Sequence, residues 1–200
     1  VEITPIYGVK GEEENFIDYL SPKYMEMLDY TLQTADSLGM QVDMVLGTGW
    51  PYGGPQVSKE DAATKLIIRK YELKKNERIK EEIKPNEKED YAKLKYVVAY
   101  GHQGTYIDLT DELNGDELNW KAKKEHFTLY AVFVGKTGQK VKRAAPGGKG
   151  FTLDHYSNKA FENYVKPFDE VLPPFENRIR AIFNDSYEVY GSNFTPEFFE

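Results

Sequence analysis

The sequence predicts an α/β fold: a small parallel sheet with crossover helices, interrupted by an inserted antiparallel β-sandwich-like module. Three observations carry this. Both ends of the chain alternate strands with amphipathic helices. The middle reads as short strands and turns with no helical period. Charge divides in the same way: of 26 bases and 33 acids, residues 58–142 hold 18 and 15, which leaves 8 and 18 for the flanks. Acidic flanks on either side of a basic block indicate one fold interrupted by another. Three strands and two helices are too few for the eight of each that close a barrel. The expectation is an incomplete (β/α)8-type barrel segment, or a small open sheet, from residues 1–57 and 143–200, with the inserted module at 58–142.

Residues 1–7 are a β-rich run closed by Gly8. Ser21-Pro22 opens a helix, because Ser can cap and Pro fits the first helical position, where its missing N–H would have no partner. Met25, Leu28, Leu32, Ala35 and Leu38 then form one apolar face, and Gly39 supplies a left-handed stop. Residues 41–46 are a second strand. After the middle block, Ser157 caps another helix with Phe161, Tyr164, Val165, Phe168, Val171 and Leu172 on its apolar face. Pro167 should kink that helix and Pro173-Pro174 end it. Residues 179–183 are the third strand. Within the block, strands are expected at 66–73, 94–100, 105–109 and 127–134, with turns at Lys75-Asn76, residues 101–104 and Asn114-Gly115-Asp116. Residues 74–90 read as a solvated, charged loop. Open edges in an incomplete barrel predict self-association.

Composition removes several functions. With 33 acids against 26 bases, nucleic acid is not expected as a main partner. No apolar run approaches the roughly 20 residues that span a bilayer. The chain opens on Val1-Glu2-Ile3 without an initiator methionine or signal peptide. It reads as a piece excised from something longer. The absence of cysteine excludes disulfides, thiolate metal sites and cysteine nucleophiles. Fifteen Tyr, 11 Phe and two Trp suit stacking on sugar rings and equally suit an ordinary core.

Three segments adjoin predicted flank elements, and α/β folds build sites at the carboxyl ends of their strands. In Gly47-Thr48-Gly49-Trp50-Pro51-Tyr52-Gly53-Gly54-Pro55 the Lys-Ser/Thr ending of a phosphate loop is missing, while Trp50 and Tyr52 offer flat faces to a sugar. In the glycine-rich run 142–150 leading to Leu153-Asp154-His155-Tyr156-Ser157, Asp154 and His155 could face a ligand or simply begin a helix. His155 has no His/Glu partner at zinc spacing. In Asn184-Asp185-Ser186-Tyr187-Glu188 a buried strand turns polar, placing Asp185 and Glu188 among Tyr187 and Tyr190. A carboxyl desolvated by aromatic rings keeps its proton longer, as a general acid requires.

Four motifs in order, Val1-Glu2-Ile3-Thr4-Pro5-Ile6-Tyr7-Gly8, residues 47–55, Val141-Lys142-Arg143-Ala144-Ala145-Pro146-Gly147-Gly148 and residues 184–191, resemble glycoside hydrolase family 106. That family comprises α-L-rhamnosidase-like enzymes abundant in gut bacteria. The resemblance implies a (β/α)8 catalytic barrel and inverting hydrolysis of terminal α-L-rhamnosides in plant polysaccharides. It also implies a rhamnose-containing glycan as partner, calcium near the sugar as a cofactor, and a periplasmic or extracellular setting. Glu188 matches the catalytic acid by this resemblance, with Trp50, Tyr52, Asp154, His155, Asp185 and Tyr187 as sugar-contacting or orienting neighbours. The base that activates water is expected beyond Glu200. The alternative is a non-catalytic carbohydrate-binding or interaction module centred on the β block, with Tyr96, Tyr100, Tyr106, Trp120 and Tyr130 as its face.

Overall fold

The computed structural model describes all 200 residues except Glu87, Lys88, Asp90, Glu176 and Glu200, and the side chain of Phe199. The chain divides into two compact units, Val1–Ala63 with Thr137–Glu200, and Thr64–Lys136.

The first unit holds strands β1 (Glu2–Ile3), β2 (Val42–Val45) and β3 (Gly53–Gly54), with helix α1 (Pro22–Ser37) between the first two. Ser21 caps α1, its hydroxyl accepting the Tyr24 N–H at 3.2 Å. Leu28, Leu32 and Ala35 face inward with Val42 and Phe175. Gly39 leaves the helix at φ +67°.

The second unit contains β4 (Thr64–Leu73), β5 (Arg78–Glu82), β6 (Lys93–Gly101), β7 (Tyr106–Asp108), β8 (Leu113–Asn114), β9 (Glu117–Lys121) and β10 (Phe127–Lys136). They form two antiparallel sheets, ordered β4-β10-β6-β7 and β5-β9-β8. Period-two burial shows why. Along β10, Phe127, Leu129, Ala131 and Phe133 are buried while the residues between them are half-exposed. They share one core with Leu73, Ile79, Val97, Leu109 and Leu118. Part of the predicted charged loop is strand β5: Ile79 and Ile83 point inward between charged neighbours that stay in water. Charge concealed two inward isoleucines there, Ile79 within β5 and Ile83 just after it, with Glu81 between them exposed. Positions 87, 88 and 90 of that loop lie outside the described residues.

Returning to the first unit, the chain forms β11 (Phe151–Thr152), helix α2 (Asn158–Val171) and β12 (Ile179–Phe183). Ser157 caps α2 by accepting the Ala160 N–H at 3.1 Å, and the helix runs through Pro167. Strands β1, β2 and β12 lie parallel in the order β1-β2-β12, with Ile3 opposite Met44 and Phe183 opposite Val45.

The α/β class is nevertheless wrong for this chain. Strand accounts for 34% of residues against 22% helix, the antiparallel sheets dominate, and there are two α-helices among the described residues. The structure is mostly β and is not an α/β barrel. The three parallel strands are two, four and five residues long. The flank residues expected to extend them are instead in loops, and the antiparallel unit carries the long strands. No described helix is long and apolar enough to cross a membrane.

Candidate functional site

Because β1, β2 and β12 are parallel, the loops leaving them start from one end of the sheet. Residues 139–153 run across these loops. Trp50 and Lys142 form an antiparallel bridge, and β11 pairs with β3 through Phe151 opposite Gly54. Close approach requires glycine. A Cβ on Gly49 would lie 2.4 Å from the Lys142 carbonyl oxygen, and one on Gly150 only 1.8 Å from that of Gly54. The two glycine-rich motifs thus interlock with each other.

Lys142 and Arg143 sit at the crossing. Arg143 is left-handed at φ +53°, a conformation that costs a side-chain-bearing residue about 1–2 kcal/mol. Its carbonyl accepts the Tyr7 N–H at 3.0 Å, and its guanidinium lies 5.4 Å from the Tyr7 ring and 5.6 Å from the Trp50 ring. The Lys142 ammonium lies 4.5 Å from the Tyr190 ring centre and 3.7 Å from the Glu188 carboxylate. A cleft of about 410 Å³ lies beside Tyr7 and Arg143, with Lys140 and Lys149 on its wall.

Glu188 is half-exposed, 53% for its side chain, rather than desolvated among aromatic rings. Tyr190 donates its hydroxyl to Glu188 Oε2 at 3.2 Å. Gln139 clamps the same loop: its Nε2 donates to the Glu188 carbonyl at 2.7 Å, and its Oε1 accepts the Tyr190 N–H at 2.6 Å. Asp185 and Tyr187 are exposed. Tyr187 meets His155 edge-on, with ring centres 5.4 Å apart. The Nδ1 of His155 lies 2.9 Å from the Leu153 carbonyl, so that nitrogen carries the proton and Nε2 is an acceptor. That Nε2 is buried and has no hydrogen-bond partner among the described residues. Burial holds the imidazole below its ordinary pKa, opposed by the Leu153 hydrogen bond and the Asp154 charge.

Two expected sugar contacts face elsewhere. Tyr52 is buried, stacked on Tyr164 at 5.7 Å, and its hydroxyl is engaged by backbone. Asp154 is also buried. Its carboxylate accepts the Tyr156 N–H at 3.0 Å and turns the chain toward α2. Gln139 carries no signal in the sequence, and the pair Lys142-Arg143 stands there only as the start of a glycine-rich segment, with no role of its own.

Residues 68–200 match the sequence profile of the alpha-L-rhamnosidase family, glycoside hydrolase 106. The chain belongs to this family. A protein of Formosa agariphila named "Putative beta-glucuronidase" is 23% identical over 91% of this chain. The rhamnosidase structure from Novosphingobium sp. PP1Y superposes with a TM-score of 0.67 over 90% of the chain at 14% identity, a likeness of fold. This glycoside hydrolase 106 chain spans 20% of the length of the first protein and 35% of the second.

Calcium takes six to eight oxygen ligands. No group of three acids or histidines converges at these strand ends among the described residues, and Glu188 already faces an ammonium. These residues do not compose a calcium site.

Proposed function

We propose that this chain supplies the acid half of a glycoside hydrolase that cleaves terminal α-L-rhamnosides of plant-type polysaccharides with inversion, in the periplasm or outside the cell. The observation that carries the reading is the position of Glu188. It stands on the loop after β12, clamped by Gln139, with Tyr187 and Tyr190 beside it and the Lys142-Arg143 crossing leading to Trp50 and Tyr7. Family membership supports a carbohydrate substrate.

In single displacement, one carboxylic acid protonates the leaving oxygen while a carboxylate across the ring activates water, the two roughly 6.5–9.5 Å apart. The Tyr190 hydroxyl engages Glu188 Oε2 and leaves Oε1 to hand over the proton. Trp50 and Tyr187 present aromatic faces to the sugar, Asp185 a carboxylate for its hydroxyls, and His155 packs against Tyr187 as an orienting neighbour. The partner base lies outside these residues in this reading, so the 200-residue chain alone should not turn over. Exposed Ile182 on edge strand β12 is where the isolated chain would self-associate.

The test is Glu188→Gln in a protein that also carries the base. Hydrolysis of an unactivated rhamnoside should fall by about 10²–10⁴-fold, the usual worth of a general acid. An aryl rhamnoside with a good leaving group should lose much less. Equal losses on both would assign Glu188 to binding, and normal rates on both would remove it from the site.

A second reading has one observation in its favour. Tyr100, Tyr106 and Tyr130 cluster on the second unit with ring centres 5.2 and 5.8 Å apart, Tyr100 and Tyr106 being exposed. Trp120 instead packs edge-on against buried Phe127. Glycan titration of the whole chain separates the readings: Tyr100→Ala with Tyr106→Ala abolishes binding only if the β unit is the receptor.

A further inference from the structure

The chain has three histidines, and two of them stack on each other: His102 and His126 have ring centres 4.1 Å apart and planes 12° from parallel. Strand register produces this. Thr128 on β10 lies opposite Glu72 on β4 and Tyr100 on β6. His126 precedes Thr128 by two residues and His102 follows Tyr100 by two, so both leave the same end of the sheet. The His102 N–H donates to the His126 carbonyl at 3.0 Å. The Glu72 carboxylate accepts the Thr128 hydroxyl at 2.9 Å and lies 3.1 Å from His126 Nε2, while His102 Nε2 lies 3.3 Å from Thr128 Oγ1.

The turn carrying His102 is anchored. Buried Glu125 accepts the Gln103 N–H and the Thr105 hydroxyl, in the space left by the missing Cβ of Gly101. One ligand atom from each of Glu72, His102 and His126 lies within 4.8 Å of the other two. Zinc bonds near 2.0–2.2 Å set tetrahedral ligand separations of about 3.3 Å. Closing the difference takes side-chain rotation, which the exposure of Glu72 and His102 permits.

We propose that Glu72, His102 and His126 form a zinc site on the second unit, with water as the fourth ligand. Two imidazoles and one carboxylate select a borderline transition-metal ion, whereas calcium and magnesium need more oxygen donors. The ion would clamp the ends of β4, β6 and β10 together.

Calorimetric titration of the 200-residue chain with zinc chloride tests this. One equivalent should bind and raise the melting temperature, since the ion favours the folded state. Partners outside a metal's ligand shell are worth 10–100-fold in affinity, so His102→Ala or His126→Ala should weaken binding by at least about tenfold. Metal-free circular dichroism and melting check that the variants fold. Imidazole NMR on the unaltered chain needs no variant: zinc should move the His102 and His126 ring signals and leave those of His155 in place. Absence of saturable binding, unchanged affinity in the folded variants, equal binding of calcium, or shifts confined to His155 would each overturn the site.

Discussion

The Tyr52 hydroxyl donates to the carbonyl of Phe183, 2.5 Å away and 131 residues later in sequence. It also accepts the Leu46 N–H at 3.3 Å. One phenol therefore ties the end of β2 to the end of β12, beneath the loops that carry Trp50 and Glu188. Tyr52→Phe should lower stability by about 1–2 kcal/mol, because partly buried backbone groups lose their partner. Urea unfolding of the 200-residue chain should show a lower midpoint at an unchanged slope. An unmoved midpoint would mean that the bond contributes nothing.

Tyr24 is the converse case. Among the described residues its hydroxyl and that of Tyr19 are buried without a hydrogen-bond partner, and their rings meet edge-on at 5.2 Å. Tyr24→Phe should be neutral, or stabilising by up to about 1–2 kcal/mol, since an unsatisfied polar group is removed. Burial also pushes the Tyr24 phenol up to about 12 and moves Tyr19 and Tyr164 in the same direction. The unfolded chain releases these protons near pH 10 while the folded chain keeps them. Stability is therefore intact below about pH 10 and falls as pH rises through the folded values. Melting from pH 8 to pH 11 should show that fall, and Tyr24→Phe should make it shallower.

Gly150 tests how the loops interlock. With the Gly54 carbonyl oxygen 1.8 Å from where its Cβ would stand, Gly150→Ala has to separate residues 139–152 from 47–54. A cost of about 3 kcal/mol or more is expected, at or beyond the upper end of overpacking penalties, because rigid backbone stands in the way. Gly115→Ala is the comparison. Its φ is +63° but no described residue crowds it, so about 1 kcal/mol is expected from backbone conformation alone. Equal losses in the two variants would reduce the role of Gly150 to its backbone.

Local rules made much of this chain readable. Ser21 and Ser157 cap the helices they were expected to cap, and the apolar spacing of Leu28, Leu32 and Ala35 marks the buried face. Alternation along β10 identifies its inward residues. What failed was the step from elements to class. Strand, helix, strand order says how neighbours pair but not how long each strand runs, and residues 4–21 and 46–63 are mostly loop held by tertiary contacts. At the candidate site, Glu188 and Tyr187 were readable as polar and aromatic residues after a strand. Tyr52 was not readable as core, because a tyrosine between glycines looks alike whether its ring stacks on Tyr164 or on a ligand. The clamp by Gln139 joins positions 49 and 51 residues apart, which no local pattern announces.

His155 links stability to the chemistry proposed for the site. Burial lowers its pKa from the ordinary value, so the folded chain resists protonating the imidazole while the unfolded chain does not. As pH falls below about 6.5, the unfolded state binds the additional proton and the folded state loses ground, until the folded value is passed. Carboxylates with lowered values, such as Asp43 and Glu72, weaken the fold by the same logic only at lower pH, where unfolded carboxylates begin to bind protons. The interval from pH 7.5 to pH 5 therefore isolates histidine. The 200-residue chain should lose stability across it, and His155→Gln, which keeps a hydrogen-bonding end without a proton equilibrium, should lose less. Urea unfolding at several pH values measures both. Superimposable losses would place the proton on another group. In its neutral form, with Nδ1–H held by Leu153, His155 offers Nε2 as an acceptor beside Tyr187. Protonation would turn that position into a donor, so the pH at which the loss levels off, where the folded value is passed, marks where His155 ceases to be an acceptor.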